Sequence, residues 1–395
     1  MEEQDKIIKR LKFFNKILSY VLVAAVASAV TWFFYPDPEV QPQSKLSQLQ
    51  QIIETRFIGE IDPVLMQDVA AQGMVASLGD PWSYYISAAD YNAYEEQSMN
   101  AYVGIGVTVI LREDNKGFDV TKVEPDSGAE AAGLQPGDII SLVEGQPVAE
   151  LGMDEAKNQI RGEEHTFVTL TILRGEASME VEVERKTIRM IVARGQMLEG
   201  NIGLVTIENF DTRCYDETIA AIEQLLADGA QSLIFDVRNN PGGYKSELVK
   251  VLDYLLPEGD LFRSLDYQGK ESVDTSDDKC LEMPMAVLMN GESYSAAEFF
   301  AAALEEYDWA ITVGEQTCGK GYFQRTYRLN DGSAVGLSVG KYFTPKGVSL
   351  ADEGGLTPKI PVEVDEATAA AIYADSLDPM KDPQVLAAME ALTKQ

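Results

Sequence analysis

The stretch MAVLMNGESYSAAEFFAAAL, residues 285–304, decides the reading of the fold. Met285 to Met289 is an uninterrupted apolar run of strand length. Asn290-Gly-Glu supplies turn chemistry, and Ala296 to Leu304 continues as an apolar helical segment. A strand, a tight turn and a helix in that order are a building block of α/β folds. Ser295 stands where the helix begins. A serine there commonly caps the helix. A strand-to-helix turn is also where a nucleophile is presented, with the helix dipole favouring negative charge. Ser293 competes for either role.

The same alternation extends outward. Ile202 to Ile207 reads as a strand, and Tyr215 to Leu226 as an amphipathic helix with Ile219, Ile222 and Leu226 on one face. Ser232 to Val237 is a buried-type strand that ends in Arg238-Asn-Asn-Pro-Gly-Gly243. Leu248 to Leu256 is a helix and Ala310 to Val313 a strand. Strands alternating with helices predict an α/β core, with functional groups at the carboxyl ends of the strands. Asp236 and Arg238 read as an ion pair at a βα turn. Gly242 or Gly243 can bring a backbone N–H close to a substrate carbonyl, and the N–H of Ala296 points where an oxyanion would develop.

Downstream lies Gly314-Glu-Gln-Thr-Cys-Gly-Lys-Gly-Tyr-Phe-Gln324. Lys320 sits between two glycines, which allow close backbone approach and burial of its side chain. The segment lacks the spacing of a phosphate-binding P-loop. The single histidine, His165, lies far upstream in a region of different character, so a histidine base is not expected. A buried lysine can take that role, because desolvation disfavours the ammonium form. Cys318 lies two residues before Lys320 and reads as a buried small hydrophobe. As a nucleophile it would define a thiol enzyme.

The formal net charge of −32 excludes nucleic acid as a partner, since phosphates would be repelled. The amino terminus differs: residues 1–16 carry five lysines and arginines against three carboxylates. The run from Ile17 to Tyr35 that follows has no charge. As a helix it would span about 28 Å, close to the hydrocarbon core of a bilayer. Basic residues before it predict a cytoplasmic amino terminus, with everything beyond Pro36 exported. Ala27-Ser28-Ala29 offers a signal-peptidase site, but apolar and aromatic residues continue past it, which favours an uncleaved anchor. Three cysteines, Cys214, Cys280 and Cys318, give no disulfide framework. No His/Cys cluster has metal-ligand spacing, so neither metal nor other cofactor is expected.

Residues 36–45 form a proline-rich linker. Leu46, Leu49, Ile52 and Ile53 recur at helical spacing, and a second helical pattern spans Val64 to Leu78. This small helical region either packs on the core or mediates homo-oligomerisation. Gly79-Asp-Pro-Trp-Ser-Tyr-Tyr85 breaks it as a turn. From about Tyr102 to Val183 the chain changes to short strands and turns: Val107 to Leu111, Val120 to Val123, a short helix at 128–133, and strands at 168–174 and 179–183. With Ala132-Gly-Leu-Gln-Pro-Gly-Asp-Ile-Ile140, the order of these pieces resembles a PDZ domain. That resemblance implies that Gly104, Ile105, Gly106 and Val107 form the loop whose N–H groups receive a peptide's terminal carboxylate, next to a sheet edge that accepts a strand.

The whole combination resembles the carboxyl-terminal processing (tail-specific) proteases. Its markers are Asp80-Pro-Trp-Ser-Tyr-Tyr85, the PDZ stretch, Asp236-Val-Arg-Asn-Asn-Pro-Gly-Gly243, Ser293-Tyr-Ser-Ala-Ala-Glu298 and Thr317-Cys-Gly-Lys-Gly-Tyr-Phe-Gln324. Asp331-Gly-Ser333, Tyr342-Phe-Thr-Pro-Lys-Gly347, Gly355-Leu-Thr-Pro358 and Asp382-Pro-Gln384 follow. The resemblance implies Ser295 as nucleophile, Lys320 as base and Gln324 as the residue that holds the lysine. Protein or peptide substrates with apolar carboxyl termini would bind the PDZ domain, which gates the site. Tyr294 stands where the family has a small residue, Ala297 where it has serine, and Glu292 where glycine is common. The expected fold is α/β: a mixed-sheet protease core at 187–395, an inserted PDZ β-domain at 100–186, a helical region at 46–99 joining the core, and one transmembrane helix at 17–35. The alternative is a PDZ scaffold with a silenced protease core.

Overall fold

The computed structural model describes residues 16, 21–22, 44–112, 114 and 116–394. Apart from residues 16, 21 and 22, the predicted anchor and the basic segment before it, with most of the linker, lie outside the described residues. Among the described residues no helix is long and apolar enough to cross a membrane. The chain divides into two units, Met1–Ala70 and Ala71–Gln395. In the first, helix Lys45–Arg56 is capped by Ser44, whose hydroxyl accepts from the N–H of Ser47, and it buries none of its residues. Helix Pro63–Ala76 begins there and runs into the second unit.

The second unit is built on a six-stranded sheet. Ile202–Ile207, Ser232–Asp236, Met285–Met289, Ala310–Gly314 and Ile360–Pro361 run parallel, and Ala193–Leu198 is antiparallel at one edge. The two central strands, 232–236 and 285–289, are buried along their full length. That is why their sequences are continuously apolar: parallel sheets covered on both faces have no solvent side. Leu233, Phe235, Met285, Val287 and Met289 pack with helices Cys214–Ala227, Lys245–Leu255 and Ala296–Glu306. Ile234, Ala286 and Leu288 face the other way, toward Val385, Ala388 and Leu392 of helix Pro383–Leu392. In helix Ala296–Glu306 every residue from Ala296 to Leu304 is buried. Its small side chains let it lie within the core, and Phe299 and Phe300 fill the remaining space against Phe262, Phe210 and Phe235.

A second, antiparallel sheet joins Tyr84–Ile86, Gly259–Asp266, Glu271–Ser276, Tyr322–Arg328 and Ala334–Phe343. Here the sequence reading is corrected. Tyr84 and Tyr85 are not part of a turn but open a strand that pairs with 334–336. Three residues are too few to show a period of two. Their partner Gly336 is needed because a Cβ there would collide with the Tyr84 ring.

The PDZ domain is a sheet ordered Val107–Leu111, Phe118–Val123, Ile139–Val143, Phe167–Arg174 and Ala177–Glu184. It closes over Phe118, Val120, Ile140, Leu170, Ile172 and Val183, with helix Val148–Ile160 packed against it. Strand Ala101–Gly104, entering the domain, pairs with Lys186–Arg189, leaving it. Both crossings are therefore held in one ribbon. Asn100 and Asn209 exchange side-chain amide hydrogen bonds of 3.1 and 2.7 Å across to the core, and Arg213 donates to the carbonyls of Asn100 and Met190.

Candidate active site

The loops that follow the central strands assemble the site. Asn290 ends the strand Met285–Met289. Its carboxamide oxygen accepts from the N–H of Asn239, and its amide donates to Asn239 Oδ1 at 2.9 Å, which zips two neighbouring loops together. Ser293 is fully buried; its hydroxyl donates to the Val237 carbonyl (2.7 Å) and accepts from Asn290 N–H. Both its hydrogen-bonding capacities serve the fold. Ser295, two residues on, has φ 56° and ψ −124°. A serine in that region costs about 1–3 kcal/mol and persists only where its surroundings enforce it. It forms a capping box with Glu298, whose N–H also donates to the Ser295 carbonyl (2.9 Å). Its side chain lines an open cleft of about 850 Å³.

Glu298 supplies the enforcement. It is fully buried, and its carboxylate accepts from Ser295 N–H (2.9 Å), Thr317 Oγ1 (2.5 Å), Gly319 N–H (2.6 Å) and Lys320 N–H (2.8 Å). One side chain thus fixes both the serine turn and the lysine loop. Four donors and the first turn of the helix satisfy a charge that would be costly to bury alone. The sequence marks Glu298 only as part of a motif. No pattern in it reveals that its partners lie at 317–320.

Lys320 lines the same cleft, with Nζ 4.9 Å from the centre of the Trp82 ring. No hydrogen bond or ion pair of its ammonium is formed among the described residues. Burial pulls its pKa below the ordinary lysine value, while Cys318, Glu298 and Asp80 act in the opposite direction. Gln324 also lines the cleft, but its amide donates to Ser338 Oγ (3.0 Å) and to the Tyr322 carbonyl (3.2 Å), not to Lys320. A register shift between Phe323 and Gln324 sets Gln324 opposite Ser338.

The glycine pair divides. Gly242 packs so closely on the serine turn that a Cβ would lie 2.8 Å from that of Ser295. Its N–H is already given to Asn240 Oδ1 (2.8 Å). The N–H groups of Gly243 and Ala296 have no partner among the described residues, so Gly243 is the free donor of the pair. Asn240 was not singled out in the sequence. It is fully buried, and its amide also donates to the Ile207 carbonyl. The Asp236–Arg238 ion pair is present (2.6 Å) and extends to Asp382 and Gln384, which accept from the same guanidinium at 2.7 and 2.9 Å.

Cys318 departs from expectation: it is exposed, not buried. It belongs to a loop crossing the surface, held by its N–H to the Ser293 carbonyl. Partial desolvation and the nearby Glu298 and Glu292 raise its thiol pKa, which disfavours the thiolate. Among the described residues no group of histidine, cysteine and carboxylate side chains could hold a metal.

In the PDZ domain, Gly106 has φ 78°, and a Cβ would collide with Ser127. The carbonyls of Ile105 and Gly106 accept from Ala129 and Glu124, while the N–H groups of Ile105 and Gly106 are unbonded among the described residues. Val107 opens an edge strand, paired among the described residues only with Phe118–Val123.

A serine at a strand-to-helix turn, a lysine loop in the same cleft and a PDZ domain stand on one α/β core, the arrangement of a serine-type endopeptidase of the C-terminal processing class. Comparison with known proteins agrees. Residues 201–362 match the model of Peptidase family S41, residues 97–173 that of the PDZ domain, and residues 34–89 that of the Activating protease CtpB N-terminal domain. A "Probable CtpA-like serine protease" of Staphylococcus aureus (strain COL) is 30% identical over 368 residues, covering 90% of this chain and 73% of its own. A protein of the same description from Staphylococcus epidermidis is 30% identical, covering 88% and 72%. The crystal structure of a "Putative S41 protease" from Bacteroides fragilis shares the fold, with a TM-score of 0.54 and 16% identity over 90% of this chain and 99% of that one. The chain belongs to peptidase family S41.

Proposed function

We propose that the protein is a membrane-anchored, extracytoplasmic endopeptidase that cleaves protein substrates near their carboxyl termini with a Ser295–Lys320 dyad. The observation that carries this reading is the left-handed Ser295 at the strand-to-helix turn, sharing a cleft with a lysine whose ammonium is unpaired and desolvated. In acylation, neutral Lys320 takes the proton of Ser295 Oγ as that oxygen bonds to the scissile carbonyl carbon. The N–H groups of Ala296 and Gly243 stabilise the resulting oxyanion. The ammonium then returns the proton to the leaving amine, and the C–N bond breaks. Water, deprotonated by Lys320, hydrolyses the acyl-enzyme and releases Ser295 Oγ–H. Gln324 orients Lys320 once it leaves Ser338. The PDZ domain receives an apolar carboxyl terminus at Ile105 and Gly106, with the peptide adding as a strand beside Val107–Leu111. The uncharged run at 17–35 anchors the chain, amino terminus inside.

Gln324 bonded to Ser338 is the observation that suits the other reading, a PDZ scaffold with a silenced core. Peptide cleavage by the wild type that is lost in Ser295→Ala decides for the enzyme. The base is tested by pH. Activity requires neutral Lys320, so acylation rises with pH through one deprotonation centred below the free-lysine value of about 10.4. His165→Ala leaves that limb in position, since His165 pairs with Glu184 in the PDZ domain. A limb that vanishes with His165, or that stays at the free-lysine value, rules the dyad mechanism out. The anchor is tested by membrane fractionation of the full chain. Amino-terminal sequencing that begins after Ala29 would refute it.

A further inference from the structure

Four groups of ordinary acidic or basic type line the cleft: Glu95, Asp211, Lys245 and Lys320. Lys245 is neutralised by Asp274 at 2.8 Å. Lys320 is the desolvated lysine already described. Glu95 lies one turn from Tyr91 in helix Tyr91–Ser98, and burial and then Glu95 raise the pKa of the Tyr91 hydroxyl. Asp211 is different. Its backbone is fixed: its N–H donates to Asn209 Oδ1 (3.0 Å) and its carbonyl accepts from Cys214 N–H (3.1 Å). Its carboxylate has no hydrogen bond or ion pair among the described residues. Tyr244 and the buried Cys214 thiol, itself pushed up to about 12, lie near it, and among the described residues no cation pairs with it. Burial alone pushes the Asp211 carboxyl up to about 6. At neutral pH it is nonetheless charged, half-buried and without a partner, an arrangement that costs stability and that a bound cation would offset.

Its position adjoins the reacting centre. Phe210 N–H donates to the Gly242 carbonyl (2.7 Å) and Tyr244 N–H to the Phe210 carbonyl (2.8 Å), bracketing Gly243. A Cβ on Gly243 would lie 2.7 Å from the Asp211 nitrogen. We infer that Asp211 is a specificity-determining residue that selects a cationic side chain, lysine or arginine, next to the scissile bond. This rests on the reading of the cleft as the peptide-binding site. The inference concerns the cleavage position and adds to whatever terminus the PDZ domain receives.

The test uses the full chain and peptide sets identical except for Lys, Gln or Glu at each of the two residues flanking the scissile bond. A charge-assisted hydrogen bond in a partly desolvated site predicts that kcat/KM for Lys exceeds Gln by about 10-fold or more at one of these positions, with Glu the poorest. In Asp211→Asn the Lys-to-Gln ratio falls to about one. In the wild type the ratio declines as pH drops through about 6, a readout that needs no variant. A wild-type enzyme indifferent to the flanking charge, or an Asp211→Asn enzyme that keeps the ratio, overturns the proposal. Failure of the underlying active-site reading looks different: Ser295→Ala would then still cleave the Gln peptide.

Discussion

One set of groups, the first wall of the cleft, belongs to the loops bearing Ser295, Gly242 and Lys320, which turn polar groups on one another. Glu298 takes four donors, Asn240 holds the Gly242 N–H, and Ser293 is bonded in both directions. A second set of groups, the second wall, lines the same cleft: among the described residues the Asp211 carboxylate is bare, and the Gln324 amide rests on a hydroxyl it can leave. In the first wall the groups that set geometry are satisfied internally and rigidly, while the Lys320 ammonium and the N–H groups of Ala296 and Gly243 stay free among the described residues. In the proposed reading the second meets the substrate, so some of its groups stay unspent until a ligand arrives. A strained serine survives only because the first wall is over-determined.

The largest effect should come from removing the reacting groups. Ser295→Ala and Lys320→Ala each lower peptide kcat/KM by about four orders of magnitude, with unchanged thermal unfolding. A Ser295→Ala protein as active as wild type would shift the chemistry to another group and erase the distinction between the walls. Next is the lock itself. Glu298→Ala leaves four donors without an acceptor and should cost about 3–5 kcal/mol in urea unfolding, with activity falling alongside. A loss below about 1 kcal/mol would mean that the first wall is not held as described.

Gln324→Ala tests the second wall. If Gln324 acts only by orienting Lys320, kcat falls about 10–100-fold while stability moves by less than about 1 kcal/mol. Equal losses of stability and activity would assign it to the first wall instead. The smallest effect is expected at the exposed thiol: Cys318→Ser keeps activity within about twofold and stability within about 0.5 kcal/mol. Abolition of cleavage by that change would favour the thiol mechanism.

Stability linked to Asp211 sharpens the comparison further. Its folded pKa of about 6 lies above the ordinary 3.8, so the folded state holds the proton more tightly. The wild type therefore loses stability as pH rises from about 4 to 6. Asp211→Asn should remove that loss, raising Tm more at pH 7.5 than at pH 4 relative to wild type. An equal shift at both pH values would mean that the carboxylate is solvated.

The sequence by itself determined the α/β core, because strands buried on both faces and helices on a 3.6-residue period leave local patterns. It determined the PDZ domain and the Ser295 and Lys320 motifs for the same reason: each is a contiguous run of a few residues. What the tertiary structure alone decided are the long-range partnerships. These are Glu298 with Thr317, Gly319 and Lys320; Arg238 with Asp382 and Gln384; Tyr84 with Gly336; and the assignment of Gly242 to Asn240 and Gln324 to Ser338. It also decided that Ser293 is buried and bonded while Ser295 faces the cleft, and that Cys318 is exposed. A hydrogen bond between residues twenty or a hundred positions apart leaves no period in the chain. It exists only once the strands are stacked and their loops meet.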